Sequence, residues 1–276
     1  MPVAPSNGIE IFYDTFGVRT DPPLVLIRGL GSQMISWREP FCEMLAARGF
    51  FVVRFDNRDV GLSSKTPDTK YTIDDMAADT VGLMDHLGID HAHIAGMSMG
   101  GMIAQQIAIS YPDRVLSLTS IMSTIGGPDV VPPTAEAAAI FTVPAPKTRD
   151  EAIARGVEDR RVIGSPAFFD EDEAFELAEL SYDRCNHPEG RLRQMVAIQS
   201  ATPRGEALGK LTVPAVVIHG VQDPLVPVEN GRRTAAAIPG AELVEIDGMG
   251  HDIPPGVWEP IVDTIASVSS RATSRA

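Results

Sequence analysis

Short apolar runs recur along this chain with helical patterns between them, and that rhythm constrains the fold more than any other feature. The runs are LVLI at 24–27, FFVVRF at 50–55, AHIAGM at 92–97, VLSLTSIM at 115–122, AVVIH at 215–219 and ELVEI at 242–246. Most are unbroken rather than alternating, which is the signature of strands buried on both faces of a parallel sheet. Helical periodicity fills 37–48, 72–87, 99–110, 232–238 and 258–268. Strands alternating with helices predict an α/β protein with a doubly wound, mostly parallel sheet covered on both sides. The stretch at 9–13 is expected to add an antiparallel edge strand.

One interval breaks the rhythm. About 90 residues separate the strand near Met122 from the strand near Ala215, far more than a crossover needs. Turn residues open it, and helical patterns follow at 134–141, 148–163, 170–184 and 189–200. Asp170 is placed to cap the third, with Glu171, Asp172 and Glu173 in its first turn. The expected organisation is a core of 1–123 and 208–276 carrying a helical cap or lid at 124–207. The tail after Val268 is expected to be disordered.

The chain has 37 acidic and 23 basic side chains, a formal charge of −14. Such a surface repels phosphate backbones and anionic headgroups, which argues against nucleic-acid and membrane partners. No apolar stretch reaches the length of a membrane span, and the first residues lack the basic start and apolar core of a signal peptide. Cys42 and Cys185 form neither a metal-ligand spacing nor a disulfide framework, so a cytoplasmic protein with reduced thiols is expected. Homo-oligomerisation is left open.

Chemistry concentrates at Gly96-Met97-Ser98-Met99-Gly100. A GxSxG match is modest on its own, but this one follows the strand AHIAGM and leads into the helical MIAQQIAISY. That is the strand, sharp turn and helix of a nucleophile elbow. A serine hydroxyl needs a base and an orienting acid, in the chain order Ser, acid, His. Asp223 in HGVQDPLVP and His251 in EIDGMGHDIP each follow a late strand, where open α/β sheets build their sites. Ser98, His251 and Asp223 are therefore the expected nucleophile, base and orienting acid, with Asp129 as the reserve acid. The oxyanion hole is expected from the backbone N–H of Met99 and of Leu30, which lies in the loop RGLGS after an early strand. His86, His91, His93 and His219 are expected in structural roles.

RGLGS, FDNRDVGLSS, GMSMGG, HGVQDPLVP and GMGHDIP, in this order, resemble the motifs of the α/β-hydrolase superfamily over almost the whole chain. FDNRDVGLSS and GMGHDIP are similar to segments of aclacinomycin methylesterase-like hydrolases, and GMSMGG resembles the cofactor-free haloperoxidases. The resemblance implies a helical cap inserted between the sixth and seventh strands, the triad and oxyanion hole named above, and no metal or cofactor. It implies a carboxylic ester hydrolase acting on a small, apolar ester through an acyl-serine intermediate. Lactone opening, C–C bond hydrolysis and perhydrolysis would use the same triad, and a ligand sensor would not turn over at all.

Arg28 stands where many relatives carry histidine, and is expected to brace the oxyanion loop or to reach a substrate carboxylate or carbonyl. Asp59 and Val60 stand where relatives often carry a glycine-containing pair, and Asp56 and Arg58 are expected to brace loops. Met34, Met122 and His187 complete the candidate substrate contacts.

Overall fold

The computed structural model describes residues 2–273. Its sheet has eight strands: β1 (Val3–Ser6), β2 (Ile9–Phe16), β3 (Pro23–Ile27), β4 (Phe51–Phe55), β5 (Ala92–Met97), β6 (Val115–Ile121), β7 (Ala215–Gly220) and β8 (Glu242–Ile246), in the order β1-β2-β4-β3-β5-β6-β7-β8. From β4 to β8 all neighbours are parallel, while β1 pairs with β2 and β2 with β4 in antiparallel register. The 9–13 stretch thus forms an antiparallel strand, but not the edge. It pairs on both sides, because Asn7 and Gly8, both at positive φ, turn the chain back from β1.

The unbroken runs are central strands. Every residue of β4, β5 and β7 is buried. Helices α1 (Glu39–Ala47), α2 (Ile73–His86) and α3 (Met99–Ser110) follow β3, β4 and β5. Later, α9 (Val228–Ala237) follows β7 and α10 (Trp258–Thr273) follows β8. One core packs α2 and α3 on the sheet through residues such as Met76, Leu83 and Ile103. The opposite core packs α1 and α10 through Phe41, Leu45, Ile261 and Ile265. Helix α10 carries on five residues past Val268, against the expectation of disorder for that part of the tail. Val268 and Ser269 are buried, and the Ser269 hydroxyl bonds to Ile265 O. The last three residues lie outside the described range.

Between β6 and β7 the chain forms α4 (Ala135–Ala139), α5 (Arg149–Ile163), α6 (Glu171–Arg184), α7 (Pro188–Gln199) and α8 (Gly205–Leu208). Asp170 caps α6 by accepting from Glu173 N at 3.0 Å. A polar seam joins these helices to the sheet loops. Arg184 of α6 donates to Asp56 Oδ2 at 2.7 Å and Gln33 Oε1 at 2.6 Å, and Arg193 of α7 bonds both oxygens of Asp59.

Candidate active site

Strand β5 delivers Ser98 to a turn at φ 57°, ψ −122°, a conformation costly for a residue with a Cβ and one that lifts the side chain clear of the sheet. Two glycines permit it. A Cβ on Gly96 would lie 2.0 Å from Gly100 O, and one on Gly100 would lie 2.2 Å from Ile27 O. The strand, the following helix and the neighbouring strand β3 therefore approach at backbone distance. Ser98 N donates to Ile121 O and the Ser123 hydroxyl donates to Ser98 O, both at 2.8 Å, so the strained turn is held from the β6 side.

His251 Nε2 lies 3.0 Å from Ser98 Oγ, and its Nδ1 lies 2.6 Å from Asp223 Oδ2. The second carboxylate oxygen of Asp223 accepts from Leu225 N and Val226 N, which fixes its orientation. The loop it sits on is tied down by buried His219, whose Nε2 lies 2.7 Å from Val226 O. Burial lowers the His219 pKa, so the ring is neutral and donates that proton to the carbonyl. His251 is held from outside the sheet: its N–H donates to Ile163 O at 2.7 Å, and Ser165 binds the adjoining Gly250 and Asp252. Asp129, the reserve acid, lies on the surface bound by Arg233 and is not part of this chain of hydrogen bonds.

Met99 opens α3 directly after Ser98, and Leu30 lies in the loop after β3. Among the described residues, neither N–H donates in a loop, turn or side-chain hydrogen bond. The loop is braced on two sides: Asn57 Nδ2 donates to Arg28 O at 3.0 Å, and Gly31 N donates to Gln194 Oε1 at 2.7 Å. Gln194 is fully buried and also donates to Arg58 O. Asp56 accepts from Met34 N and Leu62 N, and Arg58 pairs bidentately with buried Asp79 at 2.6 Å. Asp59 adopts φ 67°, stabilised by its bonds to Thr66 and Arg193.

Ser98, His251, Leu30, Arg28 and His187 line one cavity of about 440 Å³, closed over by residues of α5, α6 and α7. Met34 and Met122 are buried and do not line it. The Arg28 guanidinium sits 4.9 Å from the Trp37 ring and donates from Nε to Ser32 Oγ at 3.3 Å. Burial, reinforced by the Arg160 charge and opposed by Asp252, brings its pKa down to about 9. His187 Nε2 lies 2.9 Å from Arg193 Nη2, so the ring is engaged with α7.

Sequence reading missed Gln194, Arg160 and Arg191, which face this cavity or its loop. The signal was phase: Ala152, Gly156 and Arg160 recur every four residues on α5, and from His187 at the N-cap of α7 the intervals to Arg191 and Gln194 are four and three.

Fold and site together define an α/β hydrolase. The family model for the alpha/beta hydrolase fold matches residues 22–157, and that of the TAP-like protein family matches 191–264. Rhodomycin D methylesterase DauP of Streptomyces sp. (strain C5) is 32% identical and DnrP of Streptomyces peucetius 33% identical, each alignment covering 97% of this chain and 97% of the relative. The enol-lactonase from Burkholderia xenovorans LB400 superposes with a TM-score of 0.82 at 26% identity, covering 98% of this chain and 100% of that one. The chain belongs to the α/β-hydrolase superfamily. No helix among the described residues is long and apolar enough to cross a membrane.

Proposed function

We propose that this protein is a carboxylic ester hydrolase using Ser98 as nucleophile, His251 as general base and acid, and Asp223 as the residue that orients His251. The observation carrying this reading is the Asp223–His251–Ser98 hydrogen-bonded chain, at 2.6 and 3.0 Å, on the wall of the cavity. His251 Nε2 takes the Ser98 proton as Oγ bonds to the ester carbonyl carbon. The tetrahedral oxyanion is received by the N–H groups of Leu30 and Met99, at the N-terminus of α3. Collapse breaks the bond to the alcohol oxygen, which leaves with the proton from His251. Water then attacks the acyl-serine with His251 again as base, releasing the acid and restoring Ser98.

Helices α4–α7 act as a cap over the site, with the core in residues 1–123 and 208–276. The methylesterase relatives support a small ester as substrate, and the enol-lactonase similarity favours a lactone as the second reading. The cavity carries apolar residues such as Ile140, Phe141 and Leu177, which suit the apolar part of such a molecule. The free thiols of Cys42 and Cys185 are consistent with a cytoplasmic setting.

Hydrolysis of methyl esters, p-nitrophenyl esters of rising acyl length and lactones, measured side by side, tests the reading. Turnover of at least one class should fall by about 10⁴-fold or more in Ser98→Ala. Absence of turnover on every class, or turnover that survives the substitution, contradicts it.

A further inference from the structure

The carboxylates on the cavity wall are all engaged. Asp59 is bound by Arg193, Asp159 by Arg155 Nε at 2.6 Å, and Asp252 by Ser165. Two guanidiniums on the same wall are not. Among the described residues, Arg160 of α5 and Arg191 of α7 form no side-chain hydrogen bond or ion pair, although both line the cavity that holds Ser98 and His251. Asp252 and Glu173 act on Arg160, and Asp159 acts on Arg191, only through space. A chain with a net charge of −14 thus directs two free cations at its own site. Unpaired charge in a half-enclosed space is costly unless something else completes it.

Arg191 is the better placed of the two. A Cβ on Gly31 would lie 3.2 to 3.4 Å from the Arg191 stem, so that stem rests on the loop carrying Leu30. Its guanidinium lies over the Phe141 ring at 5.1 Å. Stacking leaves the N–H edges of the planar group free, and those edges match the two oxygens of a carboxylate. Each has a cationic neighbour, Arg28 for Arg160 and Arg155 for Arg191, but Arg191 alone of the two also rests on the oxyanion loop and on an aromatic ring.

We infer that Arg191 binds a substrate carboxylate remote from the scissile ester, with Arg160 adding positive charge to the same cavity. The inference rests on the ester-hydrolase reading above and deepens it: the substrate is a half-ester or lactone of an acid that keeps one free carboxylate. An apolar spacer would link the two ends, lying against the apolar part of the wall.

The test compares kcat/KM for the mono-p-nitrophenyl ester of glutaric acid with that for p-nitrophenyl valerate, a neutral ester of equal chain length. The wild-type chain should favour the acidic ester by about tenfold or more, and Arg191→Gln should bring the ratio close to one. The ratio does not depend on how much of the variant is folded. A wild-type ratio near one, or a ratio unchanged by Arg191→Gln, overturns the subsite while valerate turnover leaves the hydrolase reading standing. If neither ester is turned over, calorimetric titration with glutarate decides the subsite without catalysis. Binding to the wild-type chain that is lost in Arg191→Gln supports it, and equal or absent binding to both overturns it.

Discussion

Gln194 accepts the Gly31 N–H at 2.7 Å, so a helix outside the sheet holds the loop that carries Leu30. Its amide also donates to Arg58 O at 2.9 Å, and the side chain is fully buried. One residue therefore couples α7 to the loops after β3 and β4. Substitution Gln194→Leu leaves the Gly31 N–H without its acceptor and strands the buried Arg58 carbonyl, at a cost of about 2 kcal/mol in stability. The loosened loop should lower kcat about tenfold while KM moves less, since the Leu30 N–H acts on charge that develops only in the transition state. Gln194→Glu keeps the acceptor for Gly31 and should recover part of kcat. Steady-state kinetics on one ester, beside denaturant unfolding, checks both effects; a fall in stability with kcat unchanged would make Gln194 merely structural.

The Asp59–Arg193 pair closes the seam next to His187. Burial alone would raise the Asp59 pKa, but the Arg193 guanidinium and the Thr66 backbone outweigh it and hold the carboxyl at about 2. A carboxyl held below its ordinary value stabilises the fold above pH about 4, and that contribution is lost as the pH falls towards 2. Arg193→Ala should cost about 3 kcal/mol at neutral pH, because it leaves a fully buried carboxylate without its cation. The cost should shrink progressively below pH 4. Unfolding of both proteins from pH 7 down to 2 measures it, and a pH-independent difference would contradict the linkage.

His93 sits inside β5, with Nδ1 2.8 Å from the Ser117 hydroxyl and its ring edge-on to Phe50. Burial, with the neighbouring His91 charge, brings its pKa down to about 4. The unfolded chain binds a proton near pH 6.5 that the folded chain refuses until about 4. Stability therefore falls as the pH drops across that window, by up to about 3 kcal/mol through this residue. Buried His219 is shifted the same way and adds to the slope. Replacing His93 by Phe should flatten the dependence between pH 7 and 4, read as unfolding free energy against pH; an unchanged slope would contradict the assignment.

Much of this was legible in the sequence because it rests on local physics. The unbroken runs became central strands, β8 and α3 begin and end where their patterns do, and Ser98, Asp223 and His251 meet because each follows a strand end on the same side of the sheet. Strand β1 was overlooked although Asn7-Gly8 is a hairpin signal, since VAPS is short and has too little apolar pattern to read as a strand. Long-range pairs were beyond reach. Nothing near Gly31 announces Gln194 at a sequence distance of 163, and nothing in α6 says that Arg184 will meet Asp56. Met34 and Met122, expected as substrate contacts, are buried in the core, because a flexible apolar side chain fills whatever gap the packing leaves.

Ser98 is expected to carry the acyl group during turnover. Rapid quenching of the protein with a p-nitrophenyl ester, followed by peptide mapping by mass spectrometry, tests it most directly. One acyl group is expected on the peptide containing Ser98, formed in a burst with p-nitrophenol release and absent from Ser98→Ala. Turnover without any acylated peptide, or acylation at another residue that persists in Ser98→Ala, would contradict it.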